Sequence, residues 1–444
     1  MIKRDKRVRR LAHGVILIHL LVTACRGAPT PLNTPAPHPT TPPAPTASLA
    51  FMFSGDATEL AAYQQLVTAF TQAHPEIQIE LLHVPGEADY QRRLAADFAA
   101  GTPADVLLLD YRRYVGYAAT GNLEVLEPYL APSPIIQAED FYAEALAPFY
   151  WKNKLTCLPR EASSLVVYYN IDLFAAAHQP EPAANWTRDE FLRTALALTR
   201  DMDGDGNIDQ YGLGLEPTLI NAAPFIWQEK GEVVDNVFRP LALGLESPEA
   251  TRALHWFINL QLEHHVAPDA AAETAESSLS RFTSGRTAML LETRRIVSTF
   301  RASANFRWEV APLPKFKGRR ANVLLAEGYC LAAASKQKAA AWAFIEFASS
   351  PTGQTLRAFT GRDVPSLKAV AESPAFLDST TLPTHDHVWL DAIPSARPVP
   401  VLKYWDDIER LTGEELRRAF YGQAPLTDAI QTAILRTEDY FKLK

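Results

Sequence analysis

Gly101-Thr102-Pro103-Ala104-Asp105-Val106-Leu107-Leu108-Leu109-Asp110 is the stretch that decides the fold class. Val106 to Leu109 leaves no polar face, so a strand built from it is covered on both sides, as the strands of parallel sheets are. Gly101 closes the helical spacing of Tyr90, Leu94 and Phe98 before it, and Asp110 ends the apolar run. Upstream, Ala50-Phe51-Met52-Phe53 stops at Ser54-Gly55-Asp56. Leu60, Tyr63, Leu66, Val67 and Phe70 then keep helical spacing until His74-Pro75, and Ile77, Ile79 and Leu81 alternate as a second strand. Strands alternating with helices predict an α/β fold.

The same alternation continues downstream. Leu165 to Tyr169 reads as a strand, Thr187 and Glu190 as the two ends of a capping box, and Pro248 to His264 as a long helix. Strands are expected around Trp308 to Ala311 and Tyr329 to Ala333, and helices from Lys338 to Ala348 and Thr352 to Phe359. Near the C-terminus, Thr412-Gly413-Glu414-Glu415 is expected to open one helix and Thr427 to cap another. No repeat of solenoid period is present.

The N-terminal end has a different character. Lys3, Arg4, Lys6, Arg7, Arg9 and Arg10 stand against Asp5 alone, and the apolar stretch Leu11 to Val22 follows. That is the build of a signal peptide, residues 1–24, and the stretch is shorter than the ~20 residues a membrane-spanning helix needs. Val22-Thr23-Ala24-Cys25 resembles a bacterial lipobox, which implies a lipid on Cys25; the alternative is an ordinary secretory signal with an incidental cysteine. Residues 25–48 are almost wholly Pro, Thr, Ala and Gly and read as an extended tether. Removing residues 1–24 moves the formal charge from -8 to -13, which disfavours nucleic acid and anionic lipid as partners. About 400 residues follow the tether, more suited to two lobes than to one.

Five segments together resemble the extracellular solute-binding proteins of ABC importers, the family of the maltose- and glycerol-phosphate-binding proteins. They are Phe70 to Ile77, Gly101 to Val106, Val167-Tyr168-Tyr169-Asn170-Ile171-Asp172-Leu173-Phe174, Asn185-Trp186-Thr187-Arg188-Asp189-Glu190-Phe191, and Phe282-Thr283-Ser284-Gly285-Arg286-Thr287-Ala288-Met289. The resemblance implies a type II two-lobed periplasmic-binding (Venus flytrap) fold, with lobes discontinuous in sequence and joined by a hinge. On that pattern one lobe takes residues 49–157 with 310–357, and the other takes 158–309 with 358–444. It also implies a monomer that captures a carbohydrate, delivers it to permease subunits and is held outside the cell membrane by its lipid alone, with no catalysis.

Ligands of such sheets lie at the carboxyl ends of strands. That selects Ser54 and Gly55, against plain turn chemistry, and Asp110 and Tyr111, against a helix cap. From the family pattern come Arg160 and Glu161, against a hinge salt bridge, and Glu327, Gly328 and Tyr329 at the entry to a hinge strand, with Glu292 and Arg362 by position. Trp227 and Tyr329 are candidate stacking platforms for a pyranose, against simple burial. Asp201, Asp203, Asp205, Asn207 and Asp209 match the first part of an EF-hand loop, so structural calcium is expected there, with Glu216 or a carbonyl completing the shell; the alternative is a solvated turn. His264-His265 and His385-Asp386-His387 lack zinc-ligand spacing, and their histidines read as surface residues. Cys157 and Cys330 are either a disulfide of an oxidising compartment or two buried thiols. The competing functions are a glycosidase using a carboxylate pair such as Glu161 and Glu292, and a lobe that reports a solute to a receptor.

Overall fold

The computed structural model describes residues 46–237 and 239–443. The signal segment, Cys25 and nearly all of the tether therefore lie outside the described residues.

Thirteen strands are described. β1 (Ala47–Ser54), β2 (Ile77–Val84) and β3 (Val106–Asp110) run parallel, with β1 between the other two. β1 begins inside the segment expected to be tether, because the amides of Thr46 and Ala47 donate to the Glu76 carbonyl and bring the chain alongside β2. A two-residue hairpin, β4 (Tyr150–Trp151) and β5 (Lys154–Leu155), precedes β6 (Cys157–Pro159). The chain then leaves to build a second sheet from β7 (Val166–Asn170), β8 (Tyr211–Gly214), β9 (Thr287–Glu292) and β10 (Trp308–Ala311), in the order β10-β7-β9-β8. β11 (Asn322–Val323) lies on the return path and pairs in parallel with β13 (Ala396–Arg397). β12 (Glu327–Leu331) re-enters the first sheet, antiparallel to both β3 and β6, completing the order β2-β1-β3-β12-β6.

An outgoing and a returning segment connect the two sheets, and a third segment, after 358, passes beside them. Ser163 and Leu325 exchange both backbone hydrogen bonds at the crossing, so outgoing and returning chains form one ribbon there. β10 reaches Ala311 within the second sheet, past the boundary expected at 309. The segment after 358 does not leave the first sheet at once: the Ala162 amide donates to Val364, and the Ser366 hydroxyl donates to Pro159.

Local side-chain caps set half of the α-helix starts among the described residues. The Thr187 side chain accepts from the Glu190 amide while the Glu190 carboxylate accepts from Thr187, so the capping box forms ahead of the helix Arg188–Leu198. Ser247 caps Pro248–Leu262, and Ser350 caps Pro351–Ala358. Two expected starts do not occur. Thr412 lies in the middle of one helix, Trp405–Phe420, because Ile408, Leu411, Leu416 and Phe420 carry a single apolar face through it. The last helix, Leu426–Lys442, begins one residue before Thr427, after Pro425.

Cys157 and Cys330 face each other in register on β6 and β12 and are joined by a disulfide.

Candidate functional site

The first wall of the site follows from strand direction. β3 runs toward the crossing and ends at Asp110, whereas β12 runs the opposite way and begins there, so Asp110 and Glu327 are register partners at one edge. β6 ends at the same edge and hands Arg160 and Glu161 to the outgoing segment. The opposite wall comes from the second sheet: Glu292 ends β9, and Thr218 caps the helix Leu219–Gln228 with Glu216 just before it and Asn221 in its first turn. Between the walls lies a cavity of about 300 Å³ that also takes in Arg112, Ser163, Arg295 and Glu409. Open α/β sheets bind ligands in this place, outside the carboxyl ends of strands.

A buried charge network underlies the first wall. Arg160, 7% exposed, is 2.7 Å from Glu59, 2.7 Å from Glu161, 2.9 Å from Glu327 and 3.4 Å from Asp363. Glu59 also meets Arg357 at 2.8 Å and Arg362 at 2.9 Å. Burial alone would raise the Glu59 carboxyl, but Arg357, Arg160 and Arg362 outweigh it and bring it down to about 2. Glu161 goes the other way, to about 8: burial dominates, and the charges of Asp363 and Glu327 oppose the help from Arg160. Burial likewise raises Glu327. A second group pairs Arg112 with Asp110 at 2.6 Å and with Glu409 at 2.7 Å. Across the cavity, burial and the neighbouring Glu292 raise Glu216. Two polar atoms of the first wall are buried with no hydrogen-bond partner, Ser163 Oγ and Arg160 Nε.

Of the residues singled out from sequence, Asp110, Arg160, Glu161, Glu292 and Glu327 line this cavity together. The others do not, each for a visible reason. Ser54 donates to the Glu87 carboxylate at 2.6 Å. Gly55, at φ +148°, is a point of close approach: a Cβ there would lie 2.5 Å from Glu59 Cγ. Arg362 is spent on Asp56 and Glu59. Tyr111 is fully buried, its hydroxyl donating to the Leu324 carbonyl and accepting from the Val399 amide. Tyr329 is fully buried against Phe51 and Tyr63, and Gly328 packs on Phe149 and Cys157, so neither reaches a ligand. Trp227 borders a different cavity of about 460 Å³, under the guanidinium of Arg397.

Arg112, Ser163, Thr218, Asn221 and Glu409 were not singled out. Thr218 carries a local signal as a cap, while Glu409 is placed only by the docking of a distant helix. Glu216 belongs to the cleft and not to the acidic loop. In that loop Asp201, Asp203 and Asp209 bring carboxylate oxygens within 4.8 Å of one another, and it is the one such group among the described residues. Asp205 lies outside that group, and its carboxylate accepts from both the amide and the side chain of Asn207.

The sequence pattern of the bacterial extracellular solute-binding proteins matches residues 54–355. Putative binding proteins of Brucella abortus and Brucella suis are each 23% identical over 386 residues, spanning 86% of this chain and 90% of theirs. Among solved structures, an ABC substrate-binding protein of Listeria monocytogenes in complex with cycloalternan superimposes with a TM-score of 0.81 at 22% identity, covering 90% of this chain and 100% of its own. A maltose-bound MalE3 of T. maritima gives 0.74 at 22%, covering 89% and 100%. UgpB of Mycobacterium tuberculosis with glycerophosphocholine gives 0.77 at 21%, covering 89% and 98%. At these identities the likeness establishes the two-lobed fold.

Proposed function

We propose, from the premise that this chain belongs to the bacterial extracellular solute-binding proteins, that it captures a small carbohydrate-class solute between its two sheets and hands it to an ABC permease. The observation that carries this reading is the cavity itself, lined by hydrogen-bonding side chains from both sheets and spanned by one two-chain ribbon. A solute touching Glu327 and Asp110 on one wall and Asn221 and Glu292 on the other stabilises whichever arrangement brings the walls together, so binding shifts an open-closed equilibrium.

Scattering during titration with mono- and oligosaccharides tests it. The radius of gyration falls as a tight ligand saturates, and no reducing ends accumulate on incubation with oligosaccharides. A tight ligand that leaves the radius unchanged contradicts closure, and released reducing ends contradict a pure binding role. Two subsidiary readings belong to the same proposal. A lipid on Cys25 keeps the captor near its permease, so Cys25→Ser releases the protein from membranes while solute affinity stays the same. A calcium ion held by Asp201, Asp203 and Asp209 rigidifies the loop, so calcium raises the melting temperature relative to chelator.

A further inference from the structure

We propose that the cleft selects a cationic solute of the amino-sugar class, a polyhydroxylated molecule carrying a protonated amine, in preference to a neutral sugar. The proposal rests on the cleft being the solute site.

The charges lining the cleft do not balance. Six acidic side chains, Asp110, Glu161, Glu216, Glu292, Glu327 and Glu409, face three guanidinium groups, from Arg112, Arg160 and Arg295, and the acids outnumber the guanidiniums even with Glu161 protonated at neutral pH. Arg112 is taken by Asp110 and Glu409. Arg160 is divided among four carboxylates, two of them outside the cleft. Widening the account to the buried network does not restore balance, because Arg357 and Arg362 arrive together with Asp56, Glu59 and Asp363. On the second wall the Glu216 carboxylate has no hydrogen bond or ion pair among the described residues, and Glu292 accepts only from the neighbouring Thr293 amide at 2.6 Å. Burial first, and then like-charged neighbours, hold the Glu161 and Glu216 carboxyls above their ordinary range, against the opposing pull of Arg160 on Glu161 and of Arg417 and Arg295 on Glu216.

Two further features point the same way. Among the described residues none that lines the cleft is aromatic; the apolar contacts are Leu165, Ile220, Leu325 and Ala326. A neutral pyranose held by stacking would find no ring. Ser163, 4% exposed, lines the cleft with its Oγ buried and without a partner, a hydroxyl free to donate to or accept from a solute. An ammonium offers three donors and no acceptor, which complements acceptor-only carboxylates. Its charge reaches Asp110 and Glu327 from the first sheet and Glu292 from the second, so the same group draws both walls together.

Isothermal titration of the whole chain at low salt, with matched probes, tests this: glucosamine against glucose, the glucosamine disaccharide against its N-acetylated form, and spermidine as charge without sugar. The amine of each sugar pair is expected to bind at least about tenfold tighter than its neutral counterpart, with the advantage shrinking as salt is added. In a Glu216→Gln, Glu292→Gln double variant whose thermal melt stays cooperative, the advantage falls toward parity. Neutral sugars that bind as well as their amines overturn the proposal and leave the carbohydrate reading standing. Spermidine binding with no response to any sugar overturns the amino-sugar proposal and removes the carbohydrate reading with it. Silence from every cationic probe overturns charge selection.

Discussion

Two cavities lie at opposite ends of one helix, Leu219–Gln228, and their contents differ. At its N-terminal end Asn221, with the capping Thr218, opens onto the carboxylate-rich cleft; at its C-terminal end Trp227 borders the larger cavity of about 460 Å³. The larger one is walled by Pro398, Val399, Pro400, Val401 and Leu402, and its only charges cancel: Arg397 lies 4.7 Å from the Trp227 ring centroid and 2.7 Å from Glu232. In the smaller one charge is left over. Size therefore does not locate the site, whereas uncompensated charge at the ends of strands does.

The contrast can be broken most forcefully at Arg160. In Arg160→Met the buried Glu59, Glu161 and Asp363 lose a shared counter-charge, and a loss of about 3–5 kcal/mol is expected from urea unfolding. A loss under about 1 kcal/mol would mean that these charges do not depend on one another. Trp227→Ala removes a large side chain from the other cavity and is expected to cost about 3 kcal/mol, the low end for such truncations because one face already borders open space. Its solute affinity, by titration calorimetry, should match wild type, and a large loss of affinity would erase the distinction between the two cavities. Gly55→Ala disturbs the cleft from beneath, through a Cβ pressed on Glu59 at a left-handed φ, at a cost of about 1–3 kcal/mol.

The subtlest effect is on pH dependence. Glu161 titrates at about 8 in the fold against an ordinary 4.5, so between those values the folded state binds more protons than the unfolded one. Its contribution to stability is fully present below the lower value and declines as pH rises through the upper one. Glu59, depressed to about 2, contributes stability that is lost only as pH falls below 4.5. Unfolding midpoints across pH 5 to 9 should therefore decline less steeply in Glu161→Gln than in wild type. An equal slope in the two proteins would remove Glu161 as the source.

Legibility from sequence follows how local the governing chemistry is. β3 was readable because Val106 to Leu109 has no polar face, and the Thr187–Glu190 box because both partners sit within one turn. Asp110 was readable because it ends a strand, whereas Arg160, Glu161 and Glu292 were reached only through the family resemblance. The place of Tyr329 was not readable. It shares a face with Glu327 by the two-residue period of a strand, but the cleft reaches only the first residue of β12, and two positions deeper the same face is core. Arg112 finds Glu409 across 297 residues, a pairing set by tertiary packing alone. Glu59 looks like an ordinary first-turn acid after the Asp56 cap, and only the meeting of three distant arginines makes it a keystone.

The bond between Cys157 and Cys330 closes a covalent ring with a sequence separation of 173. β7 to β10, the whole second sheet, lie within that ring. A protease cutting the exposed acidic loop around Asp203 therefore severs the backbone inside that ring and leaves the two pieces joined through the disulfide. The two fragments travel as one species until a reductant is added, so even a nicked molecule keeps both halves of its grip.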